Sequence, residues 1–206
     1  MQPASGGLHL ATVQRNMLTL QKSDKLELLI KGCQKGQGKA QRALYELYHK
    51  RMFALCKRYL ADAFEAEDAM INGFVKVFEH IGRYEAAGSF EGWMKRIMVN
   101  ESLCMIRKKR MMHVEIEEAE IAGTFASETV LEALATEDLM RLVESLPVGY
   151  RTIFNLYAIE GYTHQEIAGL LGISEGTSKS QLSRARWILQ QQLNGLLDKK
   201  TKVYYE

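Results

Sequence analysis

Two groups of residues in this chain have the types and spacing to recognise nucleic acid. Residues 161–193 read GYTHQEIAGLLGISEGTSKSQLSRARWILQQQL. The spacing predicts a short amphipathic helix over 163–170, a corner at Leu171-Gly172-Ile173, and a second helix opened by Ser174. Gly172 supplies the positive φ that a corner between steeply crossed helices requires. Ala168 is small where the helices approach, and Ile167, Leu170, Leu171 and Ile173 supply a small core. Ser174 is a good N-cap, which leaves the first turn of the next helix free to enter a major groove. There the small polar Ser174, Gly176, Thr177 and Ser180 let the backbone approach base edges, while Lys179 and Arg184 reach phosphates. Helix–Gly–helix alone also suits an ordinary hairpin of a bundle with a basic solvated face. The small residue, the cap and the basic tail together favour duplex DNA.

The second group lies in FEGWMKRIMVNESLCMIRKKRM, which begins at Phe90. Phe90 and Trp93 stand beside Lys95 and Arg96, Asn100 follows one turn on, and Arg107, Lys108, Lys109 and Arg110 close the run. Flat faces for unstacked bases and cations for the backbone are what a single strand needs. Asn100 adds a donor and an acceptor for a base edge. Phe90, Trp93 and Ile97 equally fit a core stripe, and a terminal basic run is also a solvated end favoured by the helix dipole. Both readings stay open on these residues alone.

The elements that must position these groups are helical. The chain has only two prolines and no alternating pattern that suggests a sheet. Leu26, Leu29, Ile30 and Cys33 form one stripe, ended by a Gly-rich turn. Leu44, Leu47, Tyr48, Met52, Leu55, Cys56 and Tyr59 form a second; Ala66, Met70, Phe74, Val77, Phe78 and Ile81 a third. Phe90, Trp93, Met94, Ile97 and Cys104 line a fourth, after a loop at 83–89. Residues 24–111 therefore read as one four-helix bundle. Helical spacing resumes at Leu131, Leu134, Leu139, Leu142 and Leu146. Pro147 is expected at the first turn of the next helix, and Gly161 at a C-cap before the corner. Residues 130–196 read as a second four-helix domain that ends in the helix-turn-helix. The fold class is all-α, two small domains joined by an acidic flexible linker at 112–129, with a flexible lead at 1–23 and a tail at 197–206.

Composition narrows the class. At 206 residues, 47% hydrophobic and 25% charged, the chain is ordinary for a soluble protein of one or two domains. It has no apolar run near the length of a membrane span, so no membrane insertion is expected. Its start lacks a secretory signal pattern. Cys33, Cys56 and Cys104 are odd in number and far apart, and are expected as buried free thiols in a reducing cytoplasm.

The net charge of +2 hides segregation. Residues 24–111 hold 17 Lys and Arg against 11 Asp and Glu, residues 112–145 one against nine, and residues 146–206 seven against five. Two basic blocks around an acidic connector suggest two nucleic-acid-facing modules and a linker that is not one.

These features in this order resemble the small extracytoplasmic-function group of bacterial RNA polymerase sigma factors, over roughly 24–193. EAEDAMINGFVKVFEHIGRYE resembles the helix by which that family docks on polymerase, the helix from Phe90 its promoter-melting helix, and LPVGYRTIFNLYAIEGYTHQEIAGLLGISEGTSKSQLSRAR its −35 reader. The SEGTSKSQLSRAR run looks most like members from Bacteroidetes. The resemblance implies polymerase contacts at Glu67, Asp68, Asn72 and Lys76, although Ile71-Asn72 stands where the family usually has Gln-Glu. It implies −10 contacts at Arg83, Tyr84 and Ser89 of the loop, which takes a flipped-out base, and at Trp93, Arg96, Asn100, Arg107 and Lys108. It implies −35 contacts at Thr163, Ser174, Gly176, Thr177, Lys179, Ser180, Gln181 and Arg184. Gln181 stands where many relatives have Arg, which exchanges a phosphate cation for a neutral hydrogen-bonding group. The implied partners are core RNA polymerase, promoter DNA as duplex and as melted strand, and an anti-sigma protein. No small-molecule substrate, cofactor, metal or catalytic residue is expected.

Two other functions fit parts of the pattern. A conventional helix-turn-helix regulator would bind duplex DNA without polymerase, as a dimer on two-fold half-sites. A nucleic-acid enzyme would need clustered ligands; Glu65, Glu67 and Asp68 are neighbours, but no His joins them at ligand spacing. His49, His80 and His164 read as isolated surface residues.

Overall fold

The structure is a computed structural model that describes residues 24–86, 88–112 and 136–203. Every regular element among them is a helix. Helix α1 spans 24–34, α2 Gly38–Tyr59, α3 Ala63–His80 and α4 Phe90–Met112, with a short 3-10 turn at Ile81–Arg83. Helix α5 spans Thr136–Ser145, α6 Val148–Phe154, α7 His164–Leu171 and α8 Glu175–Val203. The expected acidic linker, the lead at 1–23 and Leu131 and Leu134 lie outside the described residues. Helix α8 continues past residue 196 into the stretch expected as a tail.

Helices α2, α3 and α4 pack on one another through Leu44, Tyr48, Met52, Leu55, Phe74, Val77, Met94 and Met98, all buried. Local chemistry sets their ends. The Asp62 carboxylate accepts from Glu65 N–H at 2.9 Å and caps α3. Ser89 caps α4, its hydroxyl accepting from Gly92 N–H at 3.0 Å. Gly73 lies where α3 crosses α4, and a Cβ there would run into Met98 Sδ.

The stripes differ from expectation at three places. Leu47 is exposed rather than buried in α2. Cys104 is exposed, whereas Met98, Val99 and Leu103 fill the inner face of α4, so only Cys33 and Cys56 are buried thiols. A line drawn along α4 from Phe90 and Trp93 leaves the face that packs on α3, which Met94, Met98 and Val99 fill. Pro147 is the N-cap of α6, one residue earlier than expected.

The second domain does not stand apart from the first. Ile153, Leu156, Ile167 and Leu182 continue the same buried cluster that begins at Ile30. After Phe154 the backbone widens into a π turn at Asn155–Ile159, closed by a Glu160 N–H to Asn155 C=O bond of 2.9 Å. Such turns are rare and concentrate at functional sites. This one faces the first domain. Asn155 Nδ2 donates to the Arg58 carbonyl at 2.7 Å, Arg151 Nη2 donates to the Tyr59 carbonyl at 3.1 Å, and Arg58 pairs with Glu160.

Candidate nucleic-acid interface

The corner expected to read duplex DNA forms as its residues dictate. Thr163 caps α7, and with Glu166 it completes a capping box: the hydroxyl accepts from Glu166 N–H at 3.2 Å, while the Glu166 carboxylate accepts from Thr163 N–H at 2.8 Å. These bonds hold the Glu166 carboxyl below the usual carboxylate range. Gly172 takes φ +67°, the left-handed value that ends α7. Ser174 opens α8, its hydroxyl accepting from Thr177 N–H at 3.0 Å. Ile167 is buried beneath the corner, with Leu170, Leu171 and Ile173 packed partly against it.

On the leading turns of α8, Ser174, Gly176, Lys179 and Ser180 are exposed, and Thr177 and Arg184 are half-buried. Lys179 lies 3.6 Å from Glu175, a pair exposed enough for phosphate to displace. Gln181 is half-buried, with its amide oxygen beside Gly149 of α6. Helix packing therefore claims part of the side chain that stands in place of a cation.

His164 is not the isolated surface residue expected. Its ring stacks on Tyr157 with centroids 4.5 Å apart, and its Nδ1 lies 2.9 Å from the hydroxyl of Ser178, a fully buried residue of α8. The Arg186 guanidinium sits 5.7 Å from the Tyr157 ring centre. The signal missed in the sequence was His at the first position of a helix, facing a Ser one turn into the next one.

The second group gathers at the start of α4. Tyr84, Phe90 and Trp93 form an aromatic cluster with centroids 5.1 to 5.6 Å apart. Phe90 is buried, while Tyr84 and Trp93 are half-buried and line a cavity of about 370 Å³ together with Arg83, Ser89 and Arg96. Of the two aromatics, Phe90 is core and Trp93 lines the cavity. The loop above it is sharply turned, with Ala86 at φ +57° and Gly88 at φ +134°, and the Tyr84 hydroxyl donates to the Gly88 carbonyl at 2.7 Å. The Ser89 hydroxyl is committed to capping α4. Asn100, Arg107 and Lys108 are exposed further along the same helix.

A third surface runs along α3. Glu67, Asp68 and Asn72 are exposed. Beside them stand Phe64 at 79% exposure, Ile71 at 46% and Val75 at 50%, an apolar row at helical spacing outside the buried stripe of α3. The Ile71 that departs from the family pattern belongs to this row. Lys76 is also exposed, and its Nζ lies 2.5 Å from the carboxylate of the nearly buried Glu101 on α4.

Residues 44–111 match the family described as Sigma-70 region 2, and residues 136–189 the family described as Sigma-70, region 4. The chain is 30% identical over 181 residues to the ECF RNA polymerase sigma factor SigW of Bacillus subtilis, which covers 81% of this chain and 96% of that one. It is 26% identical over 194 residues to the RNA polymerase sigma-H factor of Pseudomonas aeruginosa, covering 88% and 98% respectively. Among solved structures, the sigma factor RpoE in complex with the anti-sigma factor NepR from Bartonella quintana is similar at 22% identity and a TM-score of 0.48, over 74% of this chain and 96% of that chain.

Proposed function

We infer the role of the chain from one premise: it belongs to the ECF sigma factors of RNA polymerase. It binds core RNA polymerase and directs promoter recognition and melting for transcription initiation. Within that role, residues 24–111 engage polymerase and the −10 element, residues 112–129 connect, and residues 130–196 read the −35 element. The SEGTSKSQLSRAR run supports a place among Bacteroidetes members.

The observation that carries the assignment of sites is the aromatic cavity at the head of α4. Trp93 and Tyr84 offer ring surface, Arg83 and Arg96 offer cations, and Asn100, Arg107 and Lys108 continue along the same helix. A base leaving the duplex costs a few kcal/mol of unstacking, and stacking on an aromatic, at about 1–3 kcal/mol per base, offsets it. The −35 contacts are Thr163, Ser174, Gly176, Thr177, Lys179, Ser180, Gln181 and Arg184, with Lys179 and Arg184 as the phosphate cations. Polymerase docks on α3 through Glu67, Asp68 and Asn72, joined by the apolar row of Phe64, Ile71 and Val75. Lys76, exposed on the same helix, adds a cation to that surface while pairing with Glu101. An anti-sigma protein is the natural antagonist, a reading supported by the relatives' complexes alone.

The test is a pull-down of core polymerase by the full chain, followed by transcription from duplex and from premelted templates. The expected result is co-purification, with Trp93→Ala defective on duplex and restored on the premelted template. Specific duplex binding without polymerase, on two-fold half-sites, would instead establish a conventional regulator.

A further inference from the structure

The turn between α1 and α2 carries cations that folding does not explain. Lys31, Lys35, Lys39 and Arg42 are all exposed there. Lys31 pairs with Glu27 at 2.6 Å, and Arg42 reaches Glu46 only at 4.0 Å. Lys35 and Lys39 make no ion pair among the described residues. Lys31 and Lys35 stand at the C-terminal end of α1, where the helix dipole favours a cation. Lys39 stands in the first turn of α2, where the same dipole disfavours one. That turn holds no acidic residue to offset it, and the Gln37 side chain makes no capping bond. A cation kept at an unfavourable place without a counter-charge points to a partner outside the chain.

The turn is fixed next to the aromatic cavity. Gln34 Nε2 donates to the Ile81 carbonyl at 3.2 Å, which ties the end of α1 to the 3-10 turn Ile81–Arg83. Arg83 ends that turn and lines the cavity with Tyr84 and Trp93. Exposed cations therefore lie on two sides of the cavity. Arg107 and Lys108 follow along α4, and Lys35 and Lys39 lie beyond the 3-10 turn. A single strand carries a phosphate at every nucleotide, so a strand seated in the cavity presents phosphates on both sides of it.

We propose that the α1–α2 turn is a further phosphate-binding surface for the melted strand. Lys35 and Lys39 take the stretch that runs past the cavity on the side away from α4. The contact adds affinity and salt dependence without reading sequence, because ammonium groups on phosphates carry no base information. It rests on the reading of the cavity as the seat of the −10 strand, so its test measures the two sites separately.

The full chain in complex with core polymerase is titrated with two labelled fork templates. In one, the single strand stops at the −10 element; in the other, it continues about 8 nucleotides further from the −35 duplex. Wild type is expected to bind the longer fork more tightly. Combined Lys35→Gln and Lys39→Gln should remove that advantage and leave the shorter fork unchanged. On the longer fork, the slope of log affinity against log salt should fall by about 1.4, at about 0.7 per cation lost. Lys39→Gln alone should give half of that change, with a thermal transition no lower than that of wild type. Equal losses on both forks, no loss on either, or an earlier thermal transition would overturn the proposal. Loss of co-purification with core polymerase would also overturn it, and would make the turn a polymerase contact. Short-fork binding that is insensitive to Trp93→Ala would instead overturn the reading of the cavity.

Discussion

His164 Nδ1 and Ser178 Oγ lie 2.9 Å apart, a polar bridge between the first helix of the helix-turn-helix and the second. Ser178 is fully buried, so its hydroxyl has little access to water, and the stacked Tyr157 fixes the plane of the imidazole. The angle at which α8 leaves α7 therefore depends on this bridge as well as on the apolar corner.

His164→Ala should leave the buried Ser178 hydroxyl unpaired, at a cost of about 1–3 kcal/mol. The expected outcome is weaker binding of a −35 duplex by the polymerase complex, with binding of a single strand unchanged. His164→Gln, which keeps a hydrogen-bonding group at the same reach, should recover part of the loss. Fluorescence anisotropy on the two probes checks both.

Loss of the cap at Thr163 should loosen the same corner. Thr163→Ala is expected to destabilise the second domain by about 0.5–2 kcal/mol, read as an earlier thermal transition in circular dichroism.

The capping box also sets a pH dependence. The folded Glu166 carboxyl titrates below its ordinary value of 4.5 because Thr163 N–H and Oγ–H donate to its charged form. Its contribution is therefore complete above 4.5 and is lost as pH falls through the lower, folded value. Melting curves of wild type and Glu166→Gln should differ at neutral pH and converge in acid.

Gly73→Ala should overpack the crossing of α3 and α4, because the new methyl meets the fully buried Met98. A cost of about 1–3 kcal/mol is expected, measured by urea unfolding. Combining it with Met98→Val, which removes the sulfur, should restore part of the stability.

The acidic connector has a consequence for initiation. Neutralising Glu115, Glu117, Glu118 and Glu120 should impair initiation and leave promoter docking intact, if the connector mimics nucleic acid inside the polymerase channel. Promoter-binding and run-off transcription assays on one protein preparation separate the two effects, and equal transcription would refute the mimicry.

The helix-turn-helix was legible because each of its devices is local. Thr163 with Glu166, Gly172 at φ +67° and Ser174 with Thr177 all act over four residues or fewer, so spacing along the chain is spacing in space. The proposed strand-binding face was half legible: the residue types were visible at Phe90 and Trp93, but only packing against Tyr84 decided that the first is buried and the second lines a cavity. Leu47 and Cys104 were misplaced for the same reason. An apolar residue at the edge of a stripe is inside or outside according to which neighbour covers it.

Local spacing along the chain was enough for two helical domains, the corner between α7 and α8, and the basic and aromatic groups proposed to meet nucleic acid. The tertiary structure decided how the domains meet. Arg58 with Glu160, Tyr59 with Arg151 and Arg58 with Asn155 are separated by 102, 92 and 97 positions. No periodicity spans such distances. A helix end exposes carbonyls to whatever approaches it, and only the folded chain brings Arg151 and Asn155 to those of α2.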